Sequence, residues 1–197
     1  MEASARAGWH AIDVARAYLD GGARFLQVRA KTLSGAAFLD LASEVVRLSR
    51  ASQATVIVND RADIAKLAAA AGVHVGRDDL PPAAARSILG DAALVGTSTH
   101  TGAQIDEAAR EPVDYIAIGP IFETTTKTTG YEALGLRMVA RAAETGTPVV
   151  AIGGITLENA RSVLDAGAAS VAVIGDLLAT GDPRGRVRAF VEALGLV

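Results

Sequence analysis

The sequence contains no cysteine among its 197 residues, which excludes disulfide bonds and thiolate zinc sites. Aromatic residues make up only 4% of the chain, and they form no stripe. No apolar run approaches the ~20 residues that a membrane span requires, and residues Met1 to Gly8 lack the apolar segment of a signal peptide. We therefore expect a protein of the cytoplasm.

Clustered positive charge is missing as well. The 19 lysines and arginines are outnumbered by 22 acidic residues, which gives a formal net charge of −3, and no long basic run occurs. This argues against nucleic acid and membrane surfaces as partners. We expect small-molecule partners instead, and a site for an anion must then concentrate its cations locally.

Apolar residues are abundant, at 50% of a chain long enough for one sizeable domain. Seven apolar runs predict β-strands buried on both faces, and the segments between them favour helices. Alternating strands and helices predict a parallel sheet, so we expect a single α/β domain over residues 1–197 of the (β/α)8 TIM-barrel type. A doubly wound open sheet is the alternative. The predicted strands are Phe25–Ala30, Thr55–Asn59, Val73–Gly76, Leu94–Ser98, Tyr115–Gly119, Val149–Gly153 and Ser170–Ile174.

Two predicted helices carry start signals. Thr101 and Gln104 have the spacing of a capping box, in which each residue satisfies a backbone N–H of the other. Asp182 followed by Pro183 is typical of an N-cap and a first helical residue.

The predicted barrel is one strand short, because a (β/α)8 barrel has eight strands. Residues Met1 to Gly8, which precede the first predicted helix at Ala11–Leu19, contain no β-branched residue and no strand pattern. We therefore expect the first barrel strand to be missing, which leaves the first and last visible strands with unpaired edges. Such edges favour pairing with another chain, so the formation of a homo-oligomer is an alternative that the sequence leaves open.

Glycine and polar residues follow the last three predicted strands. The run Ile118–Lys127 ends in threonines and a lysine, while Gly153-Gly154 and Gly175 follow the last two strands. Barrels commonly bind phosphate at these two final loops, because glycine lets backbone N–H groups approach the oxygens and the next helix adds partial positive charge. Tight turns alone would also explain the glycines, but the position of both loops favours phosphate.

Gln27, Arg29 and Lys31 close the first predicted strand, and alternation places all three on one side of it. Arginine binds phosphate oxygens as a fork and lysine adds a point charge, so this group suits a diphosphate. An ion pair on the surface is the alternative interpretation.

Carboxylates follow two predicted strands, in Asn59-Asp60 and Asp78-Asp79, with no neighbouring histidine or cysteine. Carboxylates of this kind suit Mg²⁺, which proteins hold through one or two carboxylates plus phosphate oxygens of the substrate. Ordinary turns and helix caps are the alternative.

Ser98-Thr99-His100 ends the fourth predicted strand. No nucleophile elbow surrounds Ser98, which argues against a hydrolase. Ser98 is expected to bind substrate or to cap the next helix, and His100 could serve as an acid or base. His10 is expected at the surface, and His74 inside the sheet.

In this order and spacing, eight motifs resemble those of thiamine-phosphate synthases, over the chain from about Asp13 to Leu194. They are Gln27-x-Arg29-x-Lys31, Val58-Asn59-Asp60-Arg61, Gly72-Val73-His74-Val75-Gly76-x-x-Asp79-Leu80, Ser98-x-His100, Asp114-Tyr115, Gly119-Pro120-Ile121-Phe122, Thr124-x-Thr126-Lys127 and Ala151-Ile152-Gly153-Gly154-Ile155.

The resemblance implies a transferase that joins 4-amino-2-methyl-5-hydroxymethylpyrimidine diphosphate to a thiazole phosphate and releases pyrophosphate. It implies a dissociative reaction, in which diphosphate leaves before the thiazole nitrogen attacks a pyrimidine methylene cation. It also implies that Asp60 and Asp79 hold Mg²⁺. The substrate-binding residues implied are Gln27, Val28, Arg29, Ala30, Lys31, Asn59, Ser98, Thr124, Thr125, Thr126, Lys127, Gly154, Ile174 and Gly175.

The residue types suit that chemistry, because the leaving diphosphate gains negative charge as its C–O bond breaks. Mg²⁺ together with Arg29, Lys31 and Lys127 would stabilise this charge, so these three side chains are the expected catalytic residues. An aromatic nitrogen needs no general base to attack, which fits the lack of an evident one.

The chain departs from the family pattern at Arg77, Glu123 and Gly175, where glutamine, proline and serine are usual, and in lacking the apolar first strand. Two alternatives stay open. A thiazole tautomerase of the same family would use His100 for proton transfer and need no metal. A non-catalytic barrel that binds phosphate ligands is the other.

Overall fold

The computed structural model describes residues 8–124 and 130–195. Seven parallel strands form one sheet, and their order in the sheet is their order in the chain. A doubly wound sheet reverses its strand order, so that alternative is wrong. The strands are β1 Phe25–Val28, β2 Thr55–Asn59, β3 Gly72–Val75, β4 Leu94–Thr99, β5 Tyr115–Ile118, β6 Val149–Ile152 and β7 Ser170–Ala172.

A helix lies between each strand and the next, and further helices stand before β1 and after β7. The helices are α1 Ala11–Asp20, α2 Gly35–Ser49, α3 Ala62–Leu67, α4 Pro82–Leu89, α5 Gly102–Ala108, α6 Leu136–Ala143, α7 Ala160–Asp165, α8 Gly175–Leu178 and α9 Pro183–Ala193, with a 3₁₀ turn at Arg50–Ser52.

The sheet curls into an incomplete barrel. Phe25 on β1 meets Tyr115 on β5 edge to face, with ring centroids 6.0 Å apart, although three strands separate β1 from β5 in the sheet. Ile57 on β2 also packs against Tyr115. These contacts define a concave inner face, and the helices cover the outer face.

The capping predictions are confirmed with one difference. The Thr101 side chain accepts a hydrogen bond from the Gln104 N–H at 3.3 Å, and Asp182 caps α9 at the Gly185 N–H, with Pro183 as the first helical residue. The Gln104 side chain, however, accepts from the His100 N–H at 2.6 Å. In a capping box it would accept from Thr101, so here the bond fixes the residue that follows β4.

Two hydrophobic clusters fill the space between sheet and helices. The first cluster runs from Ala15 to Val95 along the chain and includes Val28, Phe38 and Val58. The second cluster runs from Ile105 to Leu194. The core is therefore divided into an amino-terminal and a carboxyl-terminal part.

The seven-strand prediction is confirmed, since within residues 8–124 and 130–195 no strand lies between β7 and β1. Among these residues nothing pairs with the outer edge of either strand. Phe25 beside this gap is 46% exposed, and Ile174, which follows β7, is 40% exposed.

We expect that an apolar strand of ~5–6 residues, fused before Glu2, raises the thermal midpoint and the activity. It would run parallel to β1, add backbone hydrogen bonds and cover Phe25. Each 1 kcal/mol gained raises the midpoint of a chain of this length by about 2–4 °C. Thermal unfolding and pyrophosphate release measure the two effects. A matched extension with a central proline cannot pair and is the control; equal results for the two extensions would contradict the expectation.

Candidate active site

All the predicted site residues that are described lie at the carboxyl edge of the sheet, the edge where the parallel strands end. They follow β1 at Lys31, β2 at Asp60, β3 at Asp79, β6 at Gly154 and β7 at Gly175. The strands are all parallel, so these ends meet along one rim. Thr125, Thr126 and Lys127 lie outside the described residues.

Alternation along β1 is confirmed. Phe25 and Gln27 are exposed on the inner face, while Leu26 and Val28 are buried against the helices. The side chains of Val28 and Ala30 both belong to the first cluster. Their predicted role in substrate binding is therefore limited to their backbone groups.

Two carboxylates come together at the rim. The Asp60 carboxylate lies 3.0 Å from the Lys31 ammonium, and it also contacts Asp79. The loop after β3 holds Asp79 through a hydrogen bond from the Gly76 N–H at 3.0 Å. Asp60 has φ 66° and donates its own N–H to the His74 carbonyl at 2.7 Å. Neighbouring loops thus fix both acids.

The surroundings of Asp60 disfavour its charge. Burial raises the pKa of Asp60 most, the hydrogen bond with Asp79 raises it further, and Lys31 opposes both effects. A cation placed between the two acids would favour their charged forms and so lower the pKa of Asp60 again. In the described ranges no group of three or more acidic or histidine side chains could surround one ion, so the remaining ligands would come from substrate or water.

The helix-cap alternative for these acids is wrong. The N-cap residues of α3 and α4 are Arg61 and Pro81, and neither Asp60 nor Asp79 caps a helix. The turn alternative is correct for Asp79, which closes the turn from Gly76. The turn and the metal interpretation are compatible, because one oxygen of Asp79 makes the turn.

Arg77 does not simply add charge to this loop. Its guanidinium donates to the Glu107 carboxylate on α5 at 2.8 Å, and both side chains are exposed. The departure from the family pattern therefore ties the loop after β3 to a neighbouring helix.

Ser98, near the end of β4, is hydrogen-bonded to a side chain of the neighbouring strand β3. The His74 Nε2 atom lies 2.8 Å from the Ser98 hydroxyl, and the His74 Nδ1 atom lies 3.0 Å from the Tyr115 hydroxyl. His74 is buried, as predicted. Tyr115 was not predicted to be near the site, although the Asp114-Tyr115 motif marks its position.

His100 is engaged by the fold on two sides. Its Nδ1 atom is hydrogen-bonded to the Gly119 carbonyl, and its ring stacks on Tyr131 with centroids 4.2 Å apart and planes at 15°. These contacts restrain a side chain that the tautomerase alternative needs as a proton carrier.

The loop after β6 packs tightly on the loop after β5. A Cβ atom at Gly154 would lie 2.5 Å from the Glu123 carbonyl oxygen and 2.7 Å from the Phe122 Cβ, and the φ of Gly154 is 64°. The tight-turn interpretation is therefore correct for Gly154. In the described part of the chain no acceptor binds its N–H, so that group is free to bind an anion.

Three side chains that sequence reasoning missed hold the loop after β6. Asn159 accepts from the Thr156 N–H at 2.9 Å and donates to the Gly154 carbonyl at 3.0 Å. Asp176, directly after Gly175, accepts from the Leu157 N–H at 3.3 Å. Arg186 on α9 donates to both Asp176 oxygens at 2.8 and 2.9 Å. The loops after β6 and β7 are thus fixed relative to each other.

We expect Asp176→Asn to raise the KM for thiazole phosphate about tenfold, because a hydrogen-bonded charge pair that positions Gly154 and Gly175 is lost. The KM for the pyrimidine diphosphate is expected to stay unchanged. Steady-state kinetics with each substrate varied in turn measures both. Asp165→Asn, at an exposed pair with Arg161, is the control. A lower kcat with both KM values unchanged would contradict this role.

The chain matches a family model described as thiamine monophosphate synthase over residues 3–177. It is 48% identical to the thiamine-phosphate synthase of Koribacter versatilis over 91% of this chain and 84% of that protein. It is 40% identical to the thiamine-phosphate synthase of Roseiflexus castenholzii over 92% of this chain and 80% of that protein.

Among solved structures, thiamine phosphate pyrophosphorylase from Pyrococcus furiosus superposes with a TM-score of 0.87 at 30% identity, covering 94% of this chain and 89% of that one. N-(5'-phosphoribosyl)anthranilate isomerase from the same organism matches with a TM-score of 0.69 at 16% identity, covering 93% of this chain and 94% of that one. At that identity the likeness concerns the TIM-barrel type of fold alone. None of the described helices is long and apolar enough to cross a membrane.

Proposed function

The chain belongs to the thiamine monophosphate synthase family and is a transferase of thiamine biosynthesis, and from this we propose which residues bind its two substrates. The reaction joins 4-amino-2-methyl-5-hydroxymethylpyrimidine diphosphate to thiazole phosphate and releases pyrophosphate. In this assignment the residues of β1 to β4 and their loops, together with Lys127 after β5, bind the pyrimidine diphosphate, and the other residues of the loops after β5 to β7 bind the thiazole phosphate.

The diphosphate half of the site comprises Gln27, Arg29, Lys31, Asn59 and Ser98. Arg29 and Lys31 supply positive charge where the leaving group becomes more negative. Gln27 lies on the inner face and Asn59 ends the neighbouring strand, which supports a role for both in orienting the pyrimidine. The family resemblance adds Lys127 to this set, and Lys127 lies outside the described residues.

Mg²⁺ is the proposed metal, held by Asp60 and Asp79. The observation that supports it is the contact between these two carboxylates beside Lys31. Mg²⁺ is commonly held by one or two carboxylates, with phosphate oxygens of the substrate and water as its other ligands. When bound, the ion would neutralise charge on the diphosphate oxygens.

The thiazole phosphate half comprises Thr124, Thr125, Thr126, Gly154, Ile174 and Gly175. Gly154 offers a backbone N–H at a position where a side chain would clash with the loop after β5. Asn159 and Asp176 hold this loop beside Gly175. The thiazole nitrogen would then attack from the carboxyl-terminal half toward the pyrimidine held in the amino-terminal half.

The test of this function is pyrophosphate release from the purified chain with both substrates and Mg²⁺. We expect release that depends on thiazole phosphate and stops in EDTA. Binding of both substrates without release would instead favour the non-catalytic barrel. We place the enzyme in the cytoplasm, on the ground that its substrates are phosphorylated metabolites; fractionation of cells followed by immunoblotting tests this.

A further inference from the structure

Three side chains on neighbouring strands form one continuous hydrogen-bonded chain inside the barrel. Tyr115 on β5 contacts His74 on β3 at 3.0 Å, and His74 contacts Ser98 on β4 at 2.8 Å. The Tyr115 and His74 rings also stack, with centroids 5.6 Å apart. Tyr115 and His74 are both less than 10% exposed, at 7% and 6%.

Gly96 makes this chain of contacts possible. In the sheet register Gly96 on β4 lies between its partners, His74 on β3 and Tyr115 on β5. A Cβ atom at Gly96 would overlap the Tyr115 ring. The missing side chain lets the tyrosine cross β4 and reach the histidine. Ser98 lies two residues further along β4, on the same face and nearer the carboxyl edge.

The direction of the hydrogen bonds follows from the partners available. Tyr115 keeps its proton, because burial raises the pKa of its hydroxyl. Its one hydrogen-bonding partner in the described ranges is His74 Nδ1. If Nδ1 carried a proton, the buried Tyr115 hydroxyl would accept a bond and its own hydrogen would have no acceptor, an arrangement that proteins avoid.

The favoured arrangement therefore has Tyr115 donating to Nδ1, which places the imidazole proton on Nε2. Nε2–H then donates to the Ser98 oxygen. With that lone pair occupied, the Ser98 hydrogen points elsewhere and is available to a ligand at the rim. In the opposite tautomer, Ser98 would give its hydrogen to His74 and present only lone pairs to an anion.

We propose that Tyr115 and His74 are positioning residues that hold the Ser98 hydroxyl as a hydrogen-bond donor toward the diphosphate of the pyrimidine substrate. The proposal rests on the function assigned above. It adds two residues from inside the barrel that need not touch the substrate. It also gives the glycine at position 96 a role in binding, since the glycine lets the tyrosine and histidine meet.

The principal test is Tyr115→Phe, which keeps the ring over Gly96 and removes the hydroxyl alone. We expect kcat/KM for the pyrimidine diphosphate to fall about tenfold, as for one lost hydrogen bond to a charged group, with the KM for thiazole phosphate unchanged. Tyr18→Phe is the matched control, because Tyr18 is a partly buried tyrosine that packs against the first cluster. It is expected to leave both parameters unchanged.

A double-mutant cycle separates positioning from general damage to the fold. If the hydroxyl acts through Ser98, Tyr115→Phe has no further effect on kcat/KM in a Ser98→Ala background. An undiminished tenfold loss in that background would overturn the proposal.

A readout independent of turnover is ¹⁵N NMR of His74 in the wild-type chain. We expect a proton on Nε2 and an Nδ1 atom that accepts from Tyr115, and a shift toward the Nδ1 tautomer in Tyr115→Phe. Protonation on Nδ1 in the wild type would overturn the proposal even if the enzyme is active. If no pyrophosphate is released, calorimetry with inorganic pyrophosphate still decides, because Tyr115→Phe is expected to weaken its binding about tenfold; unchanged binding would overturn the proposal.

Discussion

Asp60→Asn and Asp79→Asn are each expected to lower kcat by roughly 10²–10³-fold, the loss typical when one group that stabilises developing charge is removed. The two carboxylates contact each other beside Lys31, so a cation between them would lose half of its protein ligands in either variant. The asparagine side chain keeps the shape, and the fold is expected to persist.

Magnesium-dependent thermal unfolding gives a readout besides turnover. Mg²⁺ with pyrophosphate is expected to raise the thermal midpoint of the wild type and to have little effect on the variants. In EDTA, Asp60→Asn is expected to be at least as stable as the wild type at neutral pH. The sign follows from the raised pKa of Asp60: the folded state disfavours the charged form, so this acid lowers stability as the pH rises past its unfolded pKa.

Asp106→Asn is a matched control for these variants, because Asp106 pairs with Arg141 at an exposed site. It is expected to leave turnover and the magnesium effect unchanged. Full activity of the wild type in EDTA would remove the metal assignment and favour the tautomerase alternative.

Lys127→Ala is expected to lower kcat by roughly 10²–10³-fold with little change in the KM for thiazole phosphate, because its charge would face the departing diphosphate. His100→Ala is expected to have a milder effect. The His100 ring is already held by Gly119 and Tyr131, which suits a structural role better than proton transfer.

Initial rates with each substrate varied test this order, with Lys66→Ala as control. Lys66 is a lysine of α3 whose ammonium donates to the Ile88 carbonyl at 2.7 Å. A strict requirement for His100 together with a dispensable Lys127 would identify proton transfer as the chemistry.

The strands could be predicted from the sequence because runs such as Thr55–Asn59 are short and have β-branched apolar residues on consecutive positions, as a strand buried on both faces does. The errors lie at the strand ends. The prediction Phe25–Ala30 is two residues too long, since the strand ends at Val28 where the chain turns toward the rim. Apolarity continues into Ala30 because that side chain still packs in the first cluster.

The rim residues were also predictable, because residues that follow parallel strands meet at one edge whatever the details of packing. The supporting contacts were not. Tyr115 and His74 are 41 residues apart, and Asp176 binds a backbone N–H 19 residues away. The first pair depends on the register between strands and on the absence of a side chain at Gly96, and the second depends on how the loops after β6 and β7 meet; no local pattern reveals either.

The division of the core into two clusters has a consequence for how this enzyme can evolve. Except for Lys127 after β5, the residues assigned to the pyrimidine diphosphate are attached to strands of the first cluster, and those assigned to thiazole phosphate follow strands of the second. Substitutions that loosen one cluster will thus act chiefly on one substrate. Recognition of the two substrates can then evolve separately, although both binding regions belong to one sheet.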